Sequence, residues 1–488
     1  MLRFTTCSRL RNVSQPTLYA LLRCTSTLDG GCPGPMKTLH DKQDDHARLA
    51  AELADDGVQF AMAAWVDVTG RPKSKVVPIG HLPDMLAGSE RYTPRGIGRL
   101  GEMNPAEDEC VGLPDPDTMR ILSWDPRIAL FHADLVLGDA GEPFENCPRS
   151  ALKGVIAKAR DMGFAMNLGV ETEFYLFRTS ALPELTPRFA SSVIEPTPAY
   201  DARAVIDSLE FFSEVSAHME AAGYGLYSFD QEGGEGQYEL DFSYTDVLSM
   251  CDRLTYMRLM LPALAQKVDA TVSFMPRPET RSWGSGAHMN MSLVSTTTGD
   301  NVFVDPDGSW SKTAMSFAAG VLRHAPALSA LTCPTVNSYK RLTPKLADGS
   351  VSWAPVWARY GTNNRSCMLR LPGNRPAIEN RSVDMMANMY LASAFTLAAG
   401  LEGIELGLDP GEPVTDDASD WEASAGGAGE RLPRTLLEAI DAFATDPLVA
   451  TTFPAGFVRD YLAMKVDEWN GYHSVVTQWE VDRYLLDV

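Results

Sequence analysis

The chain has 488 residues, more than a single hydrophobic core usually holds, and its 45% hydrophobic content is that of a folded globular protein. Its 64 Asp and Glu outnumber 42 Lys and Arg, and the resulting net charge of -22 repels nucleic acid and anionic membrane surfaces. No apolar run reaches the roughly 18 to 20 residues that a membrane-spanning helix needs. We therefore expect a soluble two-domain protein, without nucleic acid or membrane partners, that binds small or cationic ligands.

The N-terminal extension, residues 1–35, differs in composition from the rest of the chain. It holds four arginines, several Ser and Thr, and no acidic residue before Asp29. That composition is typical of a mitochondrial transit peptide, but the expected helical face is poorly formed, and the alternative is an extension upstream of a start at Met36. On both interpretations we expect residues 1–35 to lie outside the fold. The eight cysteines include no CxxC pair, which favours a reducing cytoplasm.

The first predicted element is a β-hairpin. Residues Val58 to Val68 and Lys73 to Pro78 read as strands, and Thr69-Gly-Arg-Pro72 supplies the turn. The stretch Arg91 to Pro116 is rich in Gly, Pro and acidic residues and is too long for an idle connector. We predict a functional loop there.

From Pro148 onward, predicted helices alternate with short strands that carry charged residues at every second position. The helices are predicted at Arg149–Met162, Ala202–Ala222, Asp246–Val268 and Val383–Leu401. This alternation predicts a large α+β domain. The low-complexity patch Ala423–Gly429 reads as a surface loop.

Paired carboxylates mark the first two of these strands. Glu171 and Glu173 are two residues apart, so both point to the same face of a strand. A glycine-rich turn between Glu232 and Glu239 can deliver two more carboxylates to one place. Side-by-side carboxylates repel unless a cation lies between them. The pattern predicts a cation site.

Two further strands extend the pattern. His288, Asn290 and Ser292 share one face after a glycine-rich turn, and Glu379 shares a face with Arg381. Any one of these strands alone is equally consistent with a sheet surface whose polar side chains face water. Four together favour one site, and oxygen ligands with a single imidazole suit Mg²⁺ or Mn²⁺ better than Zn²⁺. We infer a divalent-metal site for phosphoryl transfer.

Arginines in an otherwise acidic chain support that inference. Arg341, Arg365, Arg370 and Arg381 offer fixed, always-charged forks that suit phosphate and carboxylate groups. For any one of them the alternative is an ordinary surface salt bridge.

Together these motifs resemble the glutamine synthetase family over nearly all of residues 36–407. The matching segments are Glu171–Glu173, Glu232–Glu239, Gly284–His288, Asn337–Arg341, Asn364–Ser366 and Glu379–Arg381. The resemblance implies a β-grasp domain at residues 36–146 and a catalytic domain at residues 147–488 with a curved antiparallel sheet flanked by helices. It also implies homo-oligomeric stacked rings with active sites between subunits.

Carried over position by position, the resemblance implies a role for each site residue. Metal ligands on the glutamate side are Glu173, Glu232 and Glu239, and those on the nucleotide side are Glu171, His288 and Glu379. Gly284 and Arg341 bind glutamate, and Arg381 steadies its γ-carboxylate. Arg365 and Arg370 bind ATP phosphates, and Asn290 and Ser292 contact the nucleotide. Glu379, Arg365 and Arg381 are the expected catalytic residues, with ATP and two Mg²⁺ or Mn²⁺ ions as cofactors.

The sequence departs from the family where ammonium is bound and deprotonated. Thr93 stands at the position of the usual Asp, and Trp353 near that of the usual Glu. A misalignment is the alternative, with Glu107, Asp108 or Asp348 supplying the missing charge. A further departure is Ala377, where relatives carry an ATP-contacting Arg that Arg375 could replace.

Losing both carboxylates favours a substituted amine over ammonium. The sequence is similar to the group that includes γ-glutamylmethylamide synthetases and the ligases of amine and aniline breakdown. We predict an ADP-forming ligase that joins L-glutamate to an alkyl- or arylamine through γ-glutamyl phosphate. The alternatives are an ammonia-using glutamine synthetase and a non-catalytic structural member of the fold.

Overall fold

A computed structural model describes residues 39–93, 109–138, 141–189, 199–346, 349, 351–421 and 430–486. From His46 onward the described chain forms one compact unit. The extension 1–35, the patch Ala423–Gly429, and Glu107, Asp108 and Asp348 lie outside the described residues. Within the described ranges, no helix is both long and apolar enough to cross a bilayer.

The secondary structure alternates as expected. The strands are β1 (Phe60–Val66), β2 (Pro72–Pro78), β3 (Arg91–Tyr92), β4 (Cys110–Pro114), β5 (Arg120–Ile121), β6 (Ile128–Leu137), β7 (Glu142–Pro143), β8 (Phe164–Arg178), β9 (Leu226–Gln231), β10 (Gln237–Phe242), β11 (Thr245–Asp246), β12 (Ala270–Ser273), β13 (Ala287–Ser295), β14 (Tyr360–Thr362), β15 (Leu369–Leu371) and β16 (Ile378–Asn380). The helices are α1 (Leu39–Asp55), α2 (Leu82–Leu86), α3 (Pro148–Asp161), α4 (Ala202–Asp207), α5 (Leu209–Ala221), α6 (Val247–Gln266), α7 (Lys312–Arg323), α8 (Ala325–Thr332), α9 (Ser338–Arg341), α10 (Met389–Leu406), α11 (Leu436–Thr445), α12 (Pro447–Thr452), α13 (Ala455–His473) and α14 (Gln478–Tyr484).

The first sheet is built around the predicted hairpin. Its order is β2-β1-β6-β4-β3, with β1 antiparallel to β2 and parallel to β6. The turn forms because Asp67 accepts hydrogen bonds from the backbone N–H groups of Thr69 and Arg71, while Gly70 takes a φ of 82°. The hairpin prediction is confirmed, and the sheet has the central parallel pair of a β-grasp fold.

The second sheet carries the charged strands. Its order is β14-β15-β16-β13-β8-β10-β9, and β16, β13, β8, β10 and β9 pair antiparallel. Along β8, Val170, Thr172 and Phe174 are buried on the core side, which leaves Glu171 and Glu173 on the opposite face. Helix α10 is buried along most of its length and packs chiefly against α7 and α3. The α+β class predicted from the sequence is confirmed.

Three element predictions need correction. The helix expected at Val383–Leu401 is α10, which begins at Met389 because the Asn388 side chain accepts from the backbone N–H groups of Tyr390 and Leu391 and caps it. The helix expected at Ala202–Ala222 is divided into α4 and α5 at Ser208. The described ends of the loop expected over Arg91–Pro116 form strands β3 and β4, and residues 94–108 lie outside the described residues.

A buried charge network joins the two sheets. Arg149 on α3 is only 3% exposed and bonds Asp115 and Asp134 near the first sheet and Asp252 on α6. Tyr390 donates a further hydrogen bond to Asp252 at 2.6 Å. A buried guanidinium with three carboxylate partners fixes the start of α3 against both layers.

Candidate functional site

The register of the second sheet sets the predicted polar residues side by side. His288 on β13 lies opposite Glu171 on β8, and Glu239 on β10 lies opposite Glu173. Directly opposed residues on antiparallel strands have neighbouring side chains. Period-two spacing within strands and pairing between strands therefore gather these side chains on one face.

Two overlapping groups of ligand atoms result. Glu173, Glu232 and Glu239 offer atoms that all lie within 4.8 Å of one another, as do Glu171, Glu239 and His288. The first group is the set that the sequence assigned to the glutamate-side metal. In the second group, Glu239 stands where the sequence placed Glu379.

Burial and, after it, repulsion between these carboxylates perturb their protonation. Burial raises the pKa of Glu173 to about 8, and the charge of Glu232 adds to the rise. Burial also raises the pKa of Glu232. Burial and the neighbouring Glu173 raise the pKa of Glu239 well above its ordinary range. A bound cation relieves such crowding, and the oxygen-rich donor set with one imidazole fits Mg²⁺ or Mn²⁺.

Hydrogen bonds fix the imidazole within the site. His288 Nδ1 lies 2.8 Å from Glu171 Oε2, and Asn290 Nδ2 donates to Glu171 Oε1 at 3.1 Å. Burial opposes ionisation of Glu171, but the hydrogen bond to His288 and its charge hold the Glu171 pKa down at about 2. The ring is thereby oriented with Nε2 3.7 Å from Glu173 Oε1, facing the carboxylates.

Glu379 is the centre of an arginine cluster. It is fully buried, and it accepts hydrogen bonds from Arg370 and Arg381 at 2.6 Å each and from Arg375 at 3.2 Å. Burial and Glu171 oppose ionisation, yet Arg381, His288 and Arg370 hold the pKa of Glu379 below its ordinary value. An ionised carboxylate thus holds three guanidiniums in place.

Arg341 is fixed by backbone carbonyls. Its guanidinium is 5% exposed and donates to the carbonyls of Ser382 and Arg381 at 2.9 and 3.0 Å. Glycines make room for it: a Cβ at Gly284 would lie 2.6 Å from Arg341 Cγ, and one at Gly286 would lie 2.7 Å from Arg341 Nη2. The glycines of the predicted Gly284-Ser-Gly286 segment are therefore a steric requirement for this position of Arg341.

One cavity of about 670 Å³ collects most of the predicted residues. The predicted residues that line it are Glu171, Glu173, Glu232, Glu239, Gly284, His288, Arg341, Trp353, Arg365, Arg370, Glu379 and Arg381. Asn290 touches the site through Glu171, and Ser292 lies one pleat further along β13. Thr93 is an exposed residue just after β3 and is not part of the cavity lining.

The sequence reasoning missed several residues at the site. Asp230 and Asp241 extend the two carboxylate strands by one more period-two step, a signal that was available, and burial raises their pKa values to about 7 and about 6. Arg375, named only as a replacement for a family arginine, bonds Glu171 and Glu379. Tyr200 and Trp283 also line the cavity, and no charge pattern marks them.

Comparison with known proteins places this geometry among relatives. Residues 145–484 match the family model for the glutamine synthetase catalytic domain. The glutamate–methylamine ligase of Methyloversatilis universalis is 33% identical over 443 residues, covering 89% of this chain and 97% of the relative. The glutamine synthetase of Rhizobium leguminosarum bv. phaseoli is 33% identical over 439 residues, covering 90% and 99%. A solved GmaS/ADP complex matches with a TM-score of 0.81 at 33% identity, covering 90% of this chain and 99% of that one.

We call the surface formed by Glu171, Glu173, Glu232 and Glu239 the acidic face. The fold, this acidic face and these relatives define an ATP-dependent carbon–nitrogen ligase. The resemblance expected from the sequence is confirmed: the chain belongs to the glutamine synthetase family. Enzymes of this family use ATP, divalent metals, glutamate, and an amine or ammonia.

Proposed function

We propose that this ligase forms a γ-glutamyl amide from L-glutamate and a small alkyl- or arylamine, through γ-glutamyl phosphate. The observation that carries the proposal is Trp353, whose ring lines the cavity where the sequence lacks the expected carboxylate. Leu346, Val351 and Ala354, close to Trp353 in the sequence, also line the cavity. Burying the apolar surface of a carbon substituent there contributes about 25 cal/mol of binding free energy per Å². Ammonium has no carbon substituent and gains nothing from such burial.

The activation half of the reaction follows from the residues of the cavity. A carboxylate is a poor electrophile, so the γ-carboxylate oxygen first attacks the γ-phosphorus of ATP, and ADP leaves as γ-glutamyl phosphate forms. Arg341 binds the α-carboxylate of glutamate, and Arg381 steadies the γ-carboxylate during transfer. Arg365 and Arg370 bind the phosphates of ATP and balance the charge on the transferred group.

Two divalent ions, Mg²⁺ or Mn²⁺, would be held by the acidic face. Glu173, Glu232 and Glu239 would hold one, and Glu171 and His288, with Glu239 or Glu379, the other. When bound, such ions neutralise phosphate oxygens. Asn290 and Ser292 would contact the nucleotide.

The amine half requires an unprotonated nitrogen. Alkylamines are mostly protonated at neutral pH and must lose a proton before attack, whereas an arylamine is already neutral. A site that lacks the two ammonium-binding carboxylates therefore suits an arylamine, which needs no group to remove a proton before it attacks. Thr93 and Trp353 remain our candidates for the amine end, with Thr93 reaching it from a neighbouring subunit.

An ammonia-using glutamine synthetase is the second candidate. Glu232 lines the cavity, and after burial its charge helps to raise the pKa of Asp230, so acidic groups do lie near the cavity. Several of the relatives are named glutamine synthetase. Phosphate release with glutamate, ATP and a panel of amines separates the two candidates. We expect substituted amines to be preferred, and ammonium as the best substrate by a wide margin would refute the proposal.

Trp353→Ala gives the matching residue-level test. We expect it to change the preference among amines, because it removes the wall of the amine end, and to lower ATP turnover with the smallest amine by no more than about threefold, because it also removes the ring contact to Arg365. Trp353→Phe, which keeps a flat apolar ring, is the control. An equal loss with every amine would contradict the assignment.

Assembly and location complete the proposal. We propose a β-grasp domain at 36–146, a catalytic domain at 147–488, homo-oligomeric stacked rings with active sites between subunits, and a cytoplasmic location. The support is the family membership together with the two sheets, which lie on either side of residue 146. Light scattering coupled to size-exclusion chromatography tests the assembly, and an active monomer would refute it.

A further inference from the structure

Two indole rings meet at the wall of the cavity and form what we call the aromatic corner, Trp283 and Trp353. Their ring centroids lie 5.6 Å apart with planes at 76°. Both residues line the cavity. Trp353 is 44% exposed, so its ring is available to a ligand. Edge-to-face rings leave a right-angled corner with one apolar face on each side.

The position of Trp283 is built into the backbone around it. A Cβ at Gly233 would overlap the Trp283 indole, so the ring lies directly against the Gly233 backbone. The Trp283 carbonyl accepts a hydrogen bond from the Tyr175 hydroxyl at 2.6 Å. Ring and backbone are thus both held, and Trp283 acts as a fixed wall.

This wall stands beside a carboxylate of the acidic face. Glu232 immediately precedes Gly233, and the Gly233 N–H donates to Glu232 Oε2 at 3.1 Å. The indole packed on Gly233 therefore borders the end of the acidic face that Glu232 forms. A ligand atom close to Glu232 has the aromatic corner as its neighbour.

Charge decides what kind of group fits the corner. The Arg365 guanidinium carbon lies 5.8 Å from the centre of the Trp353 ring, the arrangement of a cation–π contact. Tyr200, which also lines the cavity, interacts with both Arg365 and Glu232. Because the Arg365 guanidinium lies over one face of the Trp353 ring, a second cation near that face would be repelled. The corner suits an uncharged apolar group.

A strained backbone accompanies the corner. Trp353 takes a φ of 53° and Tyr200 a φ of 63°, in the left-handed region that side chains other than glycine rarely adopt. Strain of this kind persists where the surrounding structure requires it, often at a ligand site. Both residues direct aromatic rings to the same cavity.

We propose that Trp283, seated on Gly233 and set edge-to-face against Trp353, is a specificity-determining residue that selects amines with a flat, uncharged, apolar substituent. The class is a primary arylamine. The inference rests on the proposed γ-glutamyl amide ligase activity and narrows its second substrate.

Three probe amines test it: aniline, cyclohexylamine and methylamine. Cyclohexylamine has a ring of similar size but is neither flat nor neutral, and methylamine barely reaches the corner. The readout is kcat/KM for each amine at saturating ATP and glutamate, expressed as a ratio to methylamine so that a general loss cancels. We expect Trp283→Ala to lower the aniline ratio by about tenfold or more and the cyclohexylamine ratio by less than about threefold.

Two further variants keep the test sharp. Trp283→Phe retains a flat ring and should recover most of the aniline ratio, and Gly233→Ala should displace the indole and lower that ratio as Trp283→Ala does. Trp479→Ala is the matched control, since that indole is 65% exposed on α14 and lies outside the cavity. Thermal unfolding confirms that each variant is folded.

The outcomes separate this inference from the function on which it rests. If the unaltered protein releases phosphate with none of the amines, the amide-ligase proposal fails. If it uses amines but Trp283→Ala lowers all three equally, or lowers cyclohexylamine as much as aniline, the arylamine inference is wrong. A selective loss of aniline supports it.

Discussion

Gly286→Ala tests the geometry of the site with a single added carbon. A Cβ at this position would lie 2.7 Å from Arg341 Nη2, 2.7 Å from His288 Nε2 and 3.0 Å from Glu173 Oε1. Non-bonded atoms prefer about 3.5 Å or more, so the guanidinium and the imidazole must each retreat by roughly 0.8 Å. No left-handed backbone angle is involved at Gly286, so alanine causes no backbone strain there.

That displacement acts on the groups we assign to glutamate and metal. A misplacement of about 1 Å at a reacting centre costs on the order of 100-fold in rate, equal to about 2.7 kcal/mol. We therefore expect kcat/KM for glutamate to fall by roughly 100-fold, with a large rise in KM because Arg341 is the clamp. The assay is steady-state phosphate release over a range of glutamate concentrations, with thermal unfolding measured in parallel.

Gly154→Ala is the matched control for Gly286→Ala. Gly154 lies within α3, and a Cβ there would meet nothing within 4 Å. We expect activity to be unchanged and the free energy of unfolding to rise by about 0.5 kcal/mol, since alanine restricts the unfolded chain. If Gly286→Ala keeps the kcat/KM of the unaltered protein, the assignment of Arg341 and His288 to the reacting site is refuted.

Three further predictions concern buried charge. Glu379→Ala should reduce ATP-dependent phosphate release by about 1000-fold or more, because three guanidiniums lose their anchor, and near-normal turnover would contradict this. Arg149→Met should lower the free energy of unfolding in urea by about 3 to 5 kcal/mol by leaving buried carboxylates unpaired, with part of the loss recovered when Asp252→Asn is added. His324 Nδ1 lies 2.7 Å from Asp446 Oδ2, and His324 Nε2 lies 2.6 Å from Glu402 Oε2. Burial opposes the charge on the imidazole, but both acids raise the pKa of His324. Its charged pairing therefore stabilises the fold fully below the unfolded pKa of about 6.5 and is lost as pH rises through the raised folded pKa. The stability difference from His324→Gln should shrink as pH rises above about 6.5, and a pH-independent difference would refute this prediction.

The acidic face could be predicted because its signal is local. Once the segment is a strand, period-two spacing places Glu171 and Glu173 on the same face without any contact to the rest of the chain, and glycines mark the turn before Glu239. Short-range geometry and one family resemblance were enough to name these residues. The cross-strand pairing of His288 with Glu171 also depends on the register between β13 and β8, which neither motif contains.

Other features depend on contacts that local patterns do not contain. The beginning of α10 is set by the Asn388 cap, which is a clear signal only when the exit of β16 is known. Arg375 reaches Glu171 across 204 positions of sequence. The aromatic corner requires Trp283 and Trp353 to meet from separate loops, and neither is marked by charge or periodicity. Tertiary packing decides all three.

The close fit of the Trp283 indole on Gly233 restricts the order in which this enzyme could acquire a different second substrate. Any side chain added at position 233 collides with the ring while Trp283 is present, whereas replacing Trp283 first leaves Gly233 harmless. A side chain at position 233 therefore fits without displacing an indole only after position 283 has changed. Libraries that vary the two positions together would recover combinations that stepwise selection starting at position 233 reaches only through a variant with a displaced ring.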